Sequence, residues 1–247
     1  MAALFCFLPF GISMQHSEHG AFTLLLAEGS SATLDWFDRD WLKRNGRITG
    51  NSDASGRNPA MFLAIDHQAY VLRHYYRGGL PGKVIEDVYL WSGLENTRAY
   101  KELKLLEQIQ QLGLPACLPV AARLERHGFS YRADLITKRL DGCVDLVKAL
   151  SHAPLTPARW QQLGQVLAQF HQAGVYHADL NARNILLDEQ QFYLIDFDQG
   201  RIRKPEAKWQ QANLARLQRS LQKEALRVAG LQWQESDWQA LMRGYQG

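Results

Sequence analysis

The chain has 247 residues, 46% of them hydrophobic, with 28 Lys and Arg against 25 Asp and Glu, a formal charge of +3. That suffices to bury one large core or two small ones and is an ordinary composition for a soluble protein. Three widely spaced cysteines, Cys6, Cys117 and Cys143, exclude a disulfide framework and suit a reducing cytosol. No internal repeat or low-complexity tract is present, which removes solenoid folds.

Met1 to Ile12 is apolar and contains Pro9. It is shorter than the roughly 20 residues a membrane span needs, and no positive charge precedes it as in a signal peptide. Met14 is a second candidate start, and a short hydrophobic anchor is the alternative use of the segment. Residues 1–34 read as an N-terminal extension. A short helix is expected around Asp35 to Leu42, then a strand at Arg47 to Thr49 and another from Ala60 to Ile65. Between them, Gly50 to Asn58 forms a glycine-bearing loop. Gly50 and Gly56 let backbone N–H groups come close to phosphates, although the loop does not spell G-x-G-x-x-G. Asp66-His67 turns the chain into a third strand, Gln68 to Tyr75. Thr97 opens a helix to Leu112, with Ala99, Leu103 and Leu106 on one face and Gly113 as its stop. Two further strands, Ala121 to Arg126 and Tyr131 to Thr137, lead to Lys138-Arg139-Leu140-Asp141-Gly142. Thr156-Pro157 then caps a helix through Leu163, Leu167 and Phe170 that ends near Gly174.

The stretch His177-Ala178-Asp179-Leu180-Asn181-Ala182-Arg183-Asn184 is followed by Leu194-Ile195-Asp196-Phe197-Asp198. Ile185 to Leu187 and Phe192 to Ile195 read as two short strands around the polar turn Asp188 to Gln191. Such a hairpin brings Asn184 beside Asp196, twelve positions away. The set resembles the catalytic loop and metal element of the protein-kinase fold, where phosphoryl transfer needs a carboxylate at the attacking hydroxyl and oxygen ligands for Mg²⁺. The resemblance implies an α+β, bilobal fold: a small β-rich N-lobe over 35–140 and a mainly helical C-lobe over 141–247, joined at Lys138 to Gly142. It implies Asp179 as the catalytic carboxylate and Asn184 and Asp196 as metal ligands. Gly50, Gly56, Arg73 and Glu102 would serve ATP. Arg73 stands where the third strand of a kinase carries Lys, and an Arg fork holds phosphate differently from an ammonium; Lys83 is the alternative cation. Glu102 is the preferred partner for that cation and Glu95 the second choice. His177 is expected to brace the loop and His171 to be structural.

No Ala-Pro-Glu motif follows Asp198, and a helix is expected to begin near Glu206. That leaves little chain for a peptide platform, so a small-molecule or glycolipid acceptor is expected. Between Arg201 and Ala229 stand eight Lys or Arg and two Glu, a local +6 that leaves −3 for the rest. On a helix from Asn213 to Val228, Leu214, Leu217, Leu221 and Val228 share one face and Arg216, Arg219, Lys223 and Arg227 lie roughly opposite at about 100° per residue. That basic face is either simply solvated or meets anionic headgroups.

Arg73-His74-Tyr75-Tyr76-Arg77-Gly78-Gly79, taken with the motifs above and the basic segment Arg201 to Lys223, resembles the lipopolysaccharide core kinases, and among them the 3-deoxy-D-manno-octulosonic acid (Kdo) kinases. Gly56-Arg57-Asn58 departs from the Gly-Arg-Gly usual there. The resemblance implies a transferase that uses ATP and Mg²⁺ to phosphorylate the 4-hydroxyl of Kdo on a lipid A precursor. It would work in lipopolysaccharide biosynthesis, bound peripherally to the cytoplasmic side of the inner membrane. No nucleic-acid or protein partner is implied. A heptose or other small-molecule kinase and a nucleotide-binding pseudokinase remain open alternatives.

Overall fold

A computed structural model describes residues 14–52, 59–76 and 87–247. The fold is α+β. Gln15–His19 (β1) and Phe22–Leu26 (β2) form a hairpin, and a 3₁₀ turn at Leu34–Phe37 leads into Arg39–Arg44 (α1). Asp38 caps α1 by accepting the Asp40 and Trp41 N–H groups at 2.8 and 3.1 Å. Ile48–Asn51 (β3), Met61–Ile65 (β4) and Gln68–His74 (β5) follow. Asp66 and His67 both take positive φ, as a two-residue hairpin turn requires. After Tyr89–Leu90 (β6) and Arg98–Gln111 (α2) come Pro119–His127 (β7) and Ser130–Lys138 (β8). Among the described residues these strands make one antiparallel sheet in the order β1-β2-β7-β8-β5-β4-β3, with β6 also paired to β8.

The segment read as a separate extension over 1–34 therefore supplies, in its described part, two strands of this sheet. β2 carries Leu24 into the core on one face and Leu25 into the core on the other. The same alternation runs through Ile136 and Leu135 on β8. Trp36, Phe37 and Leu42 cover one face; Ala99, Leu103 and Leu106 of α2 cover the other. α2 starts where Thr97 Oγ1 accepts the Tyr100 N–H and stops at Gly113 with φ +66°.

The second half is mainly helical. Val144–Asp145 (β9) precedes Leu146–His152 (α3) and Pro157–Gln172 (α4), the latter capped by Thr156 with Pro157 in its first turn. Val175–Tyr176 (β10), Ile185–Leu187 (β11), Phe192–Leu194 (β12) and Arg201–Ile202 (β13) make two small sheets. Ala207–Arg227 (α5) and Glu235–Gln246 (α6) complete the chain. α5 begins at Ala207, beside the expected start near Glu206 and ahead of the amphipathic stretch read from Asn213; α3 and α6 were not anticipated. α6 crosses α4 at a pair of glycines: a Cβ on Gly164 would lie 2.0 Å from the Leu241 carbonyl oxygen, and one on Gly244 equally close to that of Gln161. Backbone touches backbone there, so no larger residue fits.

His171, on the buried side of α4, lies 2.8 Å from the Tyr245 hydroxyl of α6. Burial pushes its pKa from 6.5 down to about 4, with His177 adding repulsion. The folded chain thus refuses a proton that the unfolded chain takes below about pH 6.5. Stability is full above that value and declines as pH falls toward 4. Between about pH 7 and pH 5 the loss from this group is about 2 kcal/mol. Urea midpoints at the two pH values test it; His171→Gln should flatten the difference, and an unchanged slope would refute the assignment.

Candidate active site

The hairpin β11–β12 has the register Ile185 opposite Leu194, which sets Asn184 next to the chain entering Asp196; the Ile195 N–H bonds the Asn184 carbonyl at 3.0 Å. Asp188 closes the turn by accepting the N–H groups of Gln190 and Gln191 at 2.8 and 2.7 Å. Upstream, Asn181 caps the single 3₁₀ turn Ala182–Asn184 through the N–H groups of Arg183 and Asn184. The side-chain amides of Asn181 and Asn184 both donate to the Asp179 carbonyl at 3.0 Å. Asn184 Oδ1 is left without a hydrogen bond among the described residues.

His177 is buried and braced at both nitrogens. Nε2–H donates to the Ile195 carbonyl at 2.9 Å, and Nδ1 accepts the Asp179 N–H at 3.2 Å. Those two contacts fix one neutral tautomer, and burial lowers the pKa in the same sense. The ring ties the loop of Asp179 to the segment that runs from the end of β12 into Asp196, as expected of it. Phe197 is fully buried, stacked on Phe170 at 5.9 Å and 4.8 Å from His177. Asp196 takes φ +63°, a left-handed conformation uncommon outside glycine, held by this packing.

Arg73 projects from β5 and lies between two carboxylates. Nη2 donates to Glu102 at 2.5 Å, and Nη1 donates to Asp196. Glu102 is buried on α2 and its second oxygen accepts the Tyr75 hydroxyl at 2.7 Å. Burial pushes the Glu102 carboxyl up, while Arg73 pulls against it. The expected cation and its preferred partner are thus joined, whereas Glu95 is exposed on the turn before α2. Arg98, one turn before Glu102, donates through Nε at 2.8 Å and also through Nη2 to Asp198. Gly50, read as the first residue of the loop, lies near the end of β3 at a register shift opposite Phe62. Gly56 and Lys83 lie outside the described residues.

Sequence reasoning missed how α5 serves this site. Leu214, Leu217 and Leu221 are buried as expected. One row of α5, however, runs along the catalytic loop. Asn213 donates to the His177 carbonyl at 3.0 Å, Arg216 donates to Asp179 through Nε at 2.9 Å and through Nη2, Ser220 Oγ accepts the Ala182 N–H at 3.1 Å, and Glu224 accepts from Arg183 at 2.7 Å. Arg216 therefore does not stand idle in solvent. The spacing of 213, 216, 220 and 224 was the available signal, since steps of three and four place residues on one face. A cavity of about 530 Å³ lined by Leu72, His74 and Arg123 lies on the far face of β5, away from Arg73, and contains none of the expected site residues.

This arrangement of a carboxylate loop, a two-stranded hairpin and an Arg–Glu pair defines a protein-kinase-like phosphotransferase acting on a hydroxyl. The chain belongs to the lipopolysaccharide kinase (Kdo/WaaP) family, which matches residues 39–245. It is 39% identical over 243 residues to 3-deoxy-D-manno-octulosonic acid kinase of Mannheimia succiniciproducens, covering 95% of this chain and 99% of that protein. It is 41% identical to the enzyme of the same name from Pasteurella multocida, over 85% of this chain and 90% of that one. Among solved structures, WaaP in complex with acyl carrier protein superimposes with a TM-score of 0.56 at 17% identity, covering 90% of this chain and 88% of that chain. That likeness supports the fold.

Proposed function

We propose that the chain transfers the γ-phosphate of ATP to the 4-hydroxyl of the Kdo residue on a lipid A precursor. The observation that carries this reading is the similarity, nearly end to end, to relatives named for that activity. In this reading 35–140 and 141–247 form the two lobes, with the strands from Gln15 joining the first. Asp179 receives the hydroxyl proton as the oxygen attacks the γ-phosphorus and ADP departs. Arg73, or Lys83 in its place, holds the nucleotide phosphates, Glu102 positions Arg73, and Gly50 and Gly56 border the phosphates.

The residues present suit Mg²⁺. Asn184 Oδ1 and one oxygen of Asp196 are hard donors without a hydrogen-bond partner. Among the described residues no cluster of three His, Cys, Asp or Glu would hold a metal without help. A cation held by two side chains and completed by phosphates and water fits Mg²⁺ chemistry, and its charge would offset that building on the transferred group.

The exposed row Arg219, Lys223, Leu226 and Arg227 on α5 supports peripheral contact with an anionic leaflet, which in this reading is that of the cytoplasmic side of the inner membrane. No helix among the described residues is long and apolar enough to cross a membrane. A nucleotide-binding role without chemistry is the second reading, favoured by Arg73 lying on Asp196. Labelled γ-phosphate transfer separates the two, with acceptors being Kdo-bearing lipid A precursor, the same lipid without Kdo, and a generic protein. Label on the first alone is the expected result; ATP binding with no transfer to any acceptor would overturn it.

A further inference from the structure

Three of the four contacts that α5 makes with the catalytic loop involve a buried side chain or a backbone N–H. Asn213 and Glu224 are buried, and Ser220 accepts a backbone N–H. The fourth differs in kind. Arg216 and Asp179 have side chains 50% and 52% exposed, and the loop is already held by His177, Asn181 and Asn184. Two donors of one guanidinium converge on a single oxygen of the carboxylate that must later accept a proton. That oxygen is withheld from a hydroxyl, and the paired cation makes the whole carboxylate a weaker base, although Oδ2 carries no hydrogen bond among the described residues.

We propose that Arg216 determines acceptor specificity by exchanging one carboxylate for another. Without acceptor its fork rests on Asp179; when the sugar acid docks, the fork moves to the sugar carboxylate and releases Asp179 to the neighbouring hydroxyl. The chemistry of the exchange is balanced. A planar guanidinium suits a carboxylate, and replacing one partly hydrated carboxylate by another leaves the number of charge-assisted bonds unchanged. Access is open because the pair is half-exposed. A neutral sugar cannot offer the exchange, so an uncharged acceptor leaves the base engaged. Arg219 and Lys223, further along the same exposed side of α5, have no ion pair among the described residues and extend the positive surface away from the reacting centre.

This inference rests on the reading of the acceptor as a sugar acid, and the experiment keeps the two apart. Kdo-bearing lipid A precursor and its Kdo methyl ester are compared as acceptors for the wild-type protein, Arg216→Gln and Arg216→Lys, together with ATP hydrolysis in the absence of any acceptor. The wild type should prefer the free acid roughly 10- to 100-fold in kcat/KM, the span expected for losing hydrogen bonds to a charged group. Arg216→Gln should lose that preference through acceptor KM, keep its ATP KM, and hydrolyse ATP faster than the wild type. Arg216→Lys should recover part of the preference. Equal losses by Arg216→Gln on acid and ester, or a wild type indifferent to esterification, overturn the proposal while the Kdo reading stands. Failure of the wild type on both acceptors overturns the Kdo reading and the specificity claim with it.

Discussion

Asp179→Asn is expected to lower kcat for phosphate transfer by about a thousandfold, within the range attributed to a positioned general base. That corresponds to about 4 kcal/mol of transition-state stabilisation. The substitution keeps size and the ability to accept from Arg216, but removes the capacity to take a proton. ATP affinity should change little, because no nucleotide contact is assigned to this side chain. Steady-state transfer with ATP binding measured alongside checks both halves. Activity within tenfold of the wild type would mean that another group accepts the proton.

Glu102→Ala is expected to destabilise the fold by about 3 kcal/mol and raise KM for ATP, since breaking a buried pair strands the remaining partner. Glu102 answers two groups at once, Arg73 at 2.5 Å and the Tyr75 hydroxyl at 2.7 Å. Without it Tyr75 has a hydroxyl facing a cavity, and Arg73 is drawn wholly to Asp196, where it would compete with the proposed Mg²⁺. Urea unfolding and nucleotide titration read the two effects separately. Glu102→Gln, which keeps an acceptor, should lose less stability. An unchanged midpoint with unchanged ATP binding would show that the network is dispensable.

Much of this was legible in the chain itself, for local reasons. The α2 and α4 starts announce themselves through Thr97 and Thr156, whose hydroxyls cap the first turns. The hairpin after Asn184 follows from two apolar runs around an Asp-led turn. What escaped depends on distance. Arg216 reaches Asp179 across 37 positions and Arg98 reaches Asp198 across 100. A charge on an amphipathic helix reads the same whether it faces water or a carboxylate. β2 was overlooked because Phe22 to Leu26 is short and follows an exposed strand, and its partner β7 lies about a hundred residues on. α6 carries Gly244 inside it, a residue that usually argues against a helix interior but here permits the close approach to α4.

The Arg98–Asp198 contact carries a consequence for control. Many kinases are toggled at the joint between the metal loop and the helix bearing the glutamate, where a glycine acts as a pivot. Here the third position of that motif is an aspartate fastened to the same helix, one turn from Glu102, by two charge-assisted bonds. The contact ties the segment after Asp196 to α2, so that a substitution at either partner is expected to loosen the Glu102 side of the site as well.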